Sequence, residues 1–134
     1  MIKNIAVFAS GRGSNFSAII KAVKRGRIKG AVVLLVCDNQ EAGVISLARR
    51  AGVKVAVVLR KDFSSQTGFE NKIIQNLKEN NIKLIVLAGF MRLLSPNFVS
   101  LYSGRIINIH PSILPAFKGK QGIKDAFDYG AKIT

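Results

Sequence analysis

Short apolar runs alternating with amphipathic stretches constrain this chain more than any other feature. The runs fall at residues 2–9, 31–37, 54–58, 84–88 and 105–110. Each is strand-length, and near-continuous apolarity is what a strand buried on both faces requires. Between them, residues 14–24, 42–51, 67–80 and 96–102 carry helical periodicity. In the third of these, Phe69, Ile73, Ile74 and Leu77 share one helix face, while Lys72, Gln75, Lys78 and Glu79 share the other. A last helical pattern covers 118–129, with Gly130 placed as its C-cap. Strand and helix signals alternating in this way describe βαβ units. The expected fold is α/β, a Rossmann-like open and mostly parallel sheet with helices on both faces. With 134 residues the chain holds one domain, 1–134, with enough length for a real core. It has no repeats, low-complexity tracts or linker.

Composition narrows the function classes. Hydrophobic residues make up 49% of the chain and the mean hydropathy is +0.26, which excludes a disordered segment. The single cysteine, Cys37, rules out an internal disulfide and fits a reducing, cytoplasmic setting. No apolar run reaches the length of a membrane span, and the first is too short for a signal-peptide core. The net charge of +14, from 21 Lys and Arg against 7 Asp and Glu, suits an enzyme of anionic substrates or a nucleic-acid binder. The cations are spread in small groups, such as Lys21 to Lys29, Arg49 to Lys54, Arg60 with Lys61, and Lys118 to Lys124. With aromatics at 7% and no basic–aromatic platform, nucleic acid is the lesser expectation.

In open α/β sheets, ligands bind beyond the carboxyl ends of the strands. Three loops are candidates for that rim. The first is Ser10-Gly11-Arg12-Gly13-Ser14-Asn15-Phe16, which leads from the first strand into the first helix. Glycines permit close backbone approach, and a helix N-terminus favours an anion. Phe16 occupies the third glycine position of the dinucleotide fingerprint, and the Gly-Lys-Ser/Thr of a Walker loop is missing, so a monophosphate is the expected ligand. The second loop, Gly89-Phe90-Met91-Arg92-Leu93-Leu94-Ser95-Pro96, is an apolar segment interrupted by one Arg, suited to walling a flat heterocycle. The third holds Asn108 and His110, the only histidine of the chain. Two residues apart on a strand, they point to the same face. A neutral donor beside a group that titrates near neutrality can serve a polarised carbonyl. Alone, Asn-x-His is better read as a polar strand end with a solvated His. One His and one Cys give no metal-ligand cluster, so no metal is expected.

Taken together, three pieces resemble the phosphoribosylglycinamide formyltransferases (glycinamide ribonucleotide transformylases) of purine synthesis. They are Phe8-Ala9-Ser10-Gly11-Arg12-Gly13-Ser14-Asn15-Phe16, Leu87-Ala88-Gly89-Phe90-Met91-Arg92-Leu93-Leu94 and Ile106-Ile107-Asn108-Ile109-His110-Pro111-Ser112-Ile113-Leu114-Pro115. The last piece is shared by wider formyltransferases, including the methionyl-tRNA enzyme, and by formyltetrahydrofolate deformylase. The Gly-Arg-Gly-Ser-Asn loop and His-Pro-Ser select the glycinamide ribonucleotide branch. The resemblance implies that Gly13, Ser14 and Asn15 hold the substrate phosphate, and that Met91, Arg92, Leu93 and Leu94 wall the folate pterin. It implies that Asn108 contacts the formyl group of 10-formyltetrahydrofolate and that His110 is the catalytic acid.

Two departures stand out. Where the family has a basic residue toward the folate's glutamate tail, this chain has Gln66, which lacks the charge-assisted component of such a contact. Neighbouring Arg60 or Lys61 offers a substitute charge. The family also continues past this point with further strands and an Asp that favours the charged form of the catalytic His. Here residues 131–134 read as the start of another strand, so a domain lacking its C-terminal part is expected, with poor or no activity and marginal stability if Thr134 is its end. The alternatives are a sister folate-dependent formyltransferase or deformylase, and a basic non-catalytic domain binding phosphate or nucleic acid. Oligomeric state is left open.

Overall fold

A computed structural model of the chain describes residues 3–109. His110, the helix expected at 118–129 and its Gly130 cap lie outside the described residues. The elements run β1 (Asn4–Ala9), α1 (Ser14–Lys24), β2 (Ala31–Cys37), α2 (Val44–Arg50), β3 (Lys54–Val57), a 3₁₀ turn (Arg60–Asp62), α3 (Gln66–Glu79), β4 (Leu84–Leu87), α4 (Pro96–Leu101) and β5 (Ile106–Asn108). The five strands form one sheet in the order β3-β2-β1-β4-β5, every neighbouring pair parallel. The chain winds outward from β1 to β3, then restarts on the other side of β1 with β4. That reversal puts the topological switch point between β1 and β4.

Alternation along β1 splits the core in two. Ile5, Val7 and Ala9 face one way and join Phe16, Ile19, Val44 and Ala48 from α1 and α2. Ala6 and Phe8 face the other way and join Phe69, Ile73, Leu77 and Phe98 from α3 and α4. On this second face Phe8 meets Phe90 and Phe98 edge-on, with ring centroids 5.3 and 6.2 Å apart. Helices therefore cover both faces of the sheet, as a parallel sheet demands. In α3, Phe69, Ile73 and Leu77 are buried and Ile74 half-buried, while Lys72, Gln75, Lys78 and Glu79 are exposed.

Element ends differ from the periodicity in small ways with local causes. α3 starts one residue earlier, at Gln66, because the Ser65 hydroxyl caps it by accepting from the Gly68 amide at 3.0 Å. α2 starts later, at Val44, because the Asn39 side chain turns the chain first, accepting from the Glu41 amide at 3.0 Å. β5 is shorter than the expected 105–110. The 3₁₀ turn at Arg60–Asp62 has no apolar period and was not anticipated.

Phe16 is only 1% exposed and fills the space between α1 and the sheet. That is where a dinucleotide-binding loop would need a glycine for close helix–strand approach. Phe16→Ala is expected to lower unfolding free energy by about 3–5 kcal/mol, read by urea denaturation. A loss below about 1 kcal/mol would show that the side chain is not packed there.

Candidate functional site

The rim at the carboxyl ends of the strands is built from three segments, each fixed by its own interactions. The first is the turn into α1. Gly13 caps that helix at φ 91°, and a Cβ on it would lie 2.7 Å from Val44 Cγ2 and 2.9 Å from Leu47 Cδ1. Only glycine satisfies both the positive φ and the contact with α2. The Val44 amide donates to the Gly11 carbonyl at 3.0 Å, which locks the turn onto α2. Serines cap α3 and α4 through their side chains, whereas α1, like α2, has no side-chain cap, and none of the four has an acidic residue in its first turn. The first amides of α1, with the exposed Ser14 hydroxyl and half-buried Asn15, are arranged to receive an anion.

The second segment, Gly89 to Ser95, is irregular and is held at both ends by buried carboxylates. At one end, Asp38 follows β2 with its side chain 6% exposed. It accepts a 2.5 Å hydrogen bond from the Ser10 hydroxyl, which in turn accepts from the Met91 amide at 2.8 Å. Arg92 Nε lies 3.4 Å from the other Asp38 oxygen. At the other end, Glu70 is 5% exposed and accepts from the Ser95 amide at 2.7 Å, the Ser95 hydroxyl at 2.5 Å and Gln66 Nε2 at 2.8 Å. Gln66 Nε2 also donates to the Leu93 carbonyl at 3.1 Å, and Arg60 Nε donates to Gln66 Oε1 at 3.3 Å. Buried carboxylates are sustained only by such saturation with donors. With its backbone held, the segment presents Met91 and Leu93 at 80% and 90% exposure, an apolar surface on a fixed frame, with Leu94 half-buried behind it. Beside it opens a cleft of about 490 Å³ whose lining includes Ser10, Asp38, Arg60, Lys61, Met91 and Arg92.

The third segment is the end of β5. Asn108 is half-buried and pairs with Leu87 in the β4–β5 ladder, and the Ile109 amide donates to the Leu87 carbonyl at 2.9 Å. This sets Asn108 beside the start of the Gly89 segment. Thus Gly13, Ser14, Asn15, Met91, Arg92, Leu93, Leu94, Gln66 and Asn108 all lie on one edge of the sheet; His110 is outside the described residues. Gln66, expected in a loop, is the first residue of α3, with its amide committed to Arg60, Glu70 and Leu93. Cys37, beneath Asp38, is an inert thiol. Burial pushes its pKa up, and its Sγ donates to the Asn39 carbonyl at 3.2 Å. No group of three or more metal-ligating side chains occurs among the described residues.

Four residues of this rim escape a reading by motif: Ser10's hydroxyl role, Asp38, Glu70 and Ser95's contact to α3. Glu70 left one trace, an acid on the buried stripe of α3 with Ile73 and Leu77. Asp38 left another, directly following a wholly apolar strand.

The formyl transferase family profile matches residues 3–134. The chain belongs to the formyl transferase family. The phosphoribosylglycinamide formyltransferase of Bacillus subtilis is 42% identical over 99% of this chain and 68% of its own length. Its counterpart in Escherichia coli is 40% identical over 95% of this chain and 60% of its own length. Among solved structures, glycinamide ribonucleotide transformylase 1 from Geobacillus kaustophilus superposes with a TM-score of 0.81 at 49% identity, covering 98% of this chain and 70% of that one. The chain thus spans between 60% and 70% of the length of these formyl transferases.

Glu70→Gln puts an amide donor against the Ser95 or Gln66 donors. It is expected to cost about 1–3 kcal/mol in a urea titration and to raise hydrogen exchange at the Ser95 amide in particular. If stability falls while Ser95 stays as protected as the β4 amides, Glu70 does not hold this segment.

Proposed function

We propose that the protein carrying this chain, whose formyl transferase domain begins with it, transfers the formyl group of 10-formyltetrahydrofolate to the amine of glycinamide ribonucleotide in purine synthesis, in the cytoplasm. The observation that carries the reading is the convergence of an uncapped helix N-terminus, a rigidly held apolar segment and the Asn108 strand end on one rim. The family relationship supports it further.

In this reading, the amides and side chains of Gly13, Ser14 and Asn15 bind the ribonucleotide phosphate at the positive end of α1. Met91, Arg92, Leu93 and Leu94 receive the pterin, whose flat apolar faces suit exposed side chains on an immobile backbone. Gln66 acts on the folate through the Leu93 carbonyl it holds. Arg60, Lys61 and Arg92 supply cationic charge along the adjoining cleft for the tail carboxylates.

The chemistry then follows. The substrate amine attacks the formyl carbon, a C–N bond forms, and the carbonyl oxygen becomes an oxyanion. The Asn108 amide donates to that oxygen, a contribution of about 3 kcal/mol for a donor aimed at developing charge. His110, which the Asn-Ile-His-Pro-Ser motif puts two residues after Asn108, stabilises the same charge when protonated. It passes the amine's proton to the folate nitrogen as the bond from that nitrogen to the formyl carbon breaks.

The test is a formyl transfer assay on the protein that carries this chain, following formation of deformylated folate. Asn108→Ala is expected to reduce kcat by about 10²–10³, and His110→Ala by at least about 10². Full rate in His110→Ala would overturn the mechanism. Formyl release to water, or transfer to methionyl-tRNA with glycinamide ribonucleotide inert, would overturn the substrate.

A further inference from the structure

Cations that are scattered along the sequence are gathered by the fold onto the edge opposite the proposed site. Every strand is parallel, so all strand starts and all helix C-termini lie at that same edge. Each of the five strands begins with a cation or just after one: Lys3 before β1, Lys29 before β2, Lys54 opening β3, Lys83 before β4 and Arg105 before β5. The helices add Lys21 and Lys24 in the last turn of α1, Arg49 and Arg50 in that of α2, and Lys78 in that of α3. Arg25 and Arg27 follow α1 in the loop to β2. All of these residues are exposed. Among the described residues the only acid at this edge is Glu79, and no ion pair engages any of these cations; the one ion pair present, Arg92 with Asp38, is on the opposite rim. On that rim Arg12, Arg60, Lys61 and Arg92 are matched by Asp38, Glu41, Asp62 and Glu70.

Helix dipoles account for a cation or two at each helix C-terminus. They do not account for the five strand-start cations, because strands carry only small net dipoles. Nor do they explain the near absence of acids, since a surface selected only for solubility intersperses both signs. With strands about 4.8 Å apart, the strand-start cations form a row roughly 19 Å long, flanked on both sheet faces by helix-end cations.

We propose that this edge is a docking surface for the phosphate backbone of a nucleic acid, bound without sequence preference. A protein partner would require an apolar core depleted of Lys, and stable anchoring on a lipid surface would require an apolar signal besides the charge. Leu101 is the only large apolar side chain exposed near this edge among the described residues, and Tyr102 is buried. Charge of one sign without stacking side chains is the pattern of backbone contact. The surface is independent of the formyl transfer reading.

The test is fluorescence anisotropy with a labelled mixed-sequence 20-base-pair duplex, titrated from about 50 to 200 mM salt. If the five strand-start cations each meet a phosphate, log K against log salt falls with a slope of about −4 to −5, equally for unrelated sequences. The triple variant K29Q/K54Q/K83Q weakens binding at least about tenfold and flattens the slope by about 3, whereas K29R/K54R/K83R binds as the parent does. K61Q/K72Q, away from this edge, changes affinity by less than about twofold. Circular dichroism melts confirm that the variants fold. No binding at 50 mM salt, equal losses in the K61Q/K72Q and triple Gln variants, or binding to vesicles of anionic lipid with none to the duplex would each overturn the proposal.

Discussion

A parallel sheet buried on both faces governs this molecule. Its strands present apolar side chains in both directions, so each face must be roofed by helices, and each crossover must carry the chain back to the same starting edge. One consequence is that every strand-to-helix loop falls on one edge and every helix-to-strand loop on the other. The sequence therefore has two classes of loop with different electrostatic surroundings. Loops on the first edge meet helix N-termini and lie by the switch point between β1 and β4. Loops on the second meet helix C-termini. The site and the basic edge are two products of this one constraint.

The first class of loop needs rigidity that its own backbone cannot supply. The Gly89 to Ser95 segment belongs to no strand or helix, yet the wall proposed for a flat ligand must not collapse. Its apolar side chains cannot be buried either, because then they could not meet a ligand. The solution is to fasten the backbone rather than the side chains. Asp38, acting through Ser10 and Arg92, and Glu70, acting through Gln66 and Ser95, grip the segment near its two ends. Both carboxylates sit on elements already fixed in the core, Asp38 at the end of β2 and Glu70 on the buried side of α3. The polar network thus transfers the order of the sheet to a loop that has no regular hydrogen bonding of its own.

What could be read from the residues divides along the same line. Element types and most boundaries follow from periodicity, since burial on two faces writes itself as runs such as residues 31–37, which β2 matches end to end. The turn into α1 was also legible, because Gly11, Gly13 and Asn15 are local. Gln66 was legible only as a missing charge. Its engagement with Leu93, 27 residues away, depends on how α3 packs beside β4. Ser10 and Asp38 are 28 residues apart and meet only because β1 and β2 pair. Long-range polar contacts have no period, and that is why they are silent in the sequence. The cations were visible individually, in groups separated by intervening elements; their common edge is a property of the topology alone.

The two edges can serve different partners without interfering. β1 holds six residues at about 3.3 Å each, so the sheet separates them by roughly 20 Å. The screening length at physiological ionic strength is about 8 Å. An exposed cation at Lys3 or Lys83 therefore contributes almost nothing to the field at Asn108 or at the first turn of α1. The rim keeps its own balance of charges, in which Arg92 answers Asp38 at close range. The anion binding proposed at the rim therefore rests on local geometry, meaning the uncapped amides after Gly13, and not on the net charge of +14. Among the described residues the excess of positive charge lies at the opposite edge, so neutralising it there would leave the chemistry of the rim where the fold put it.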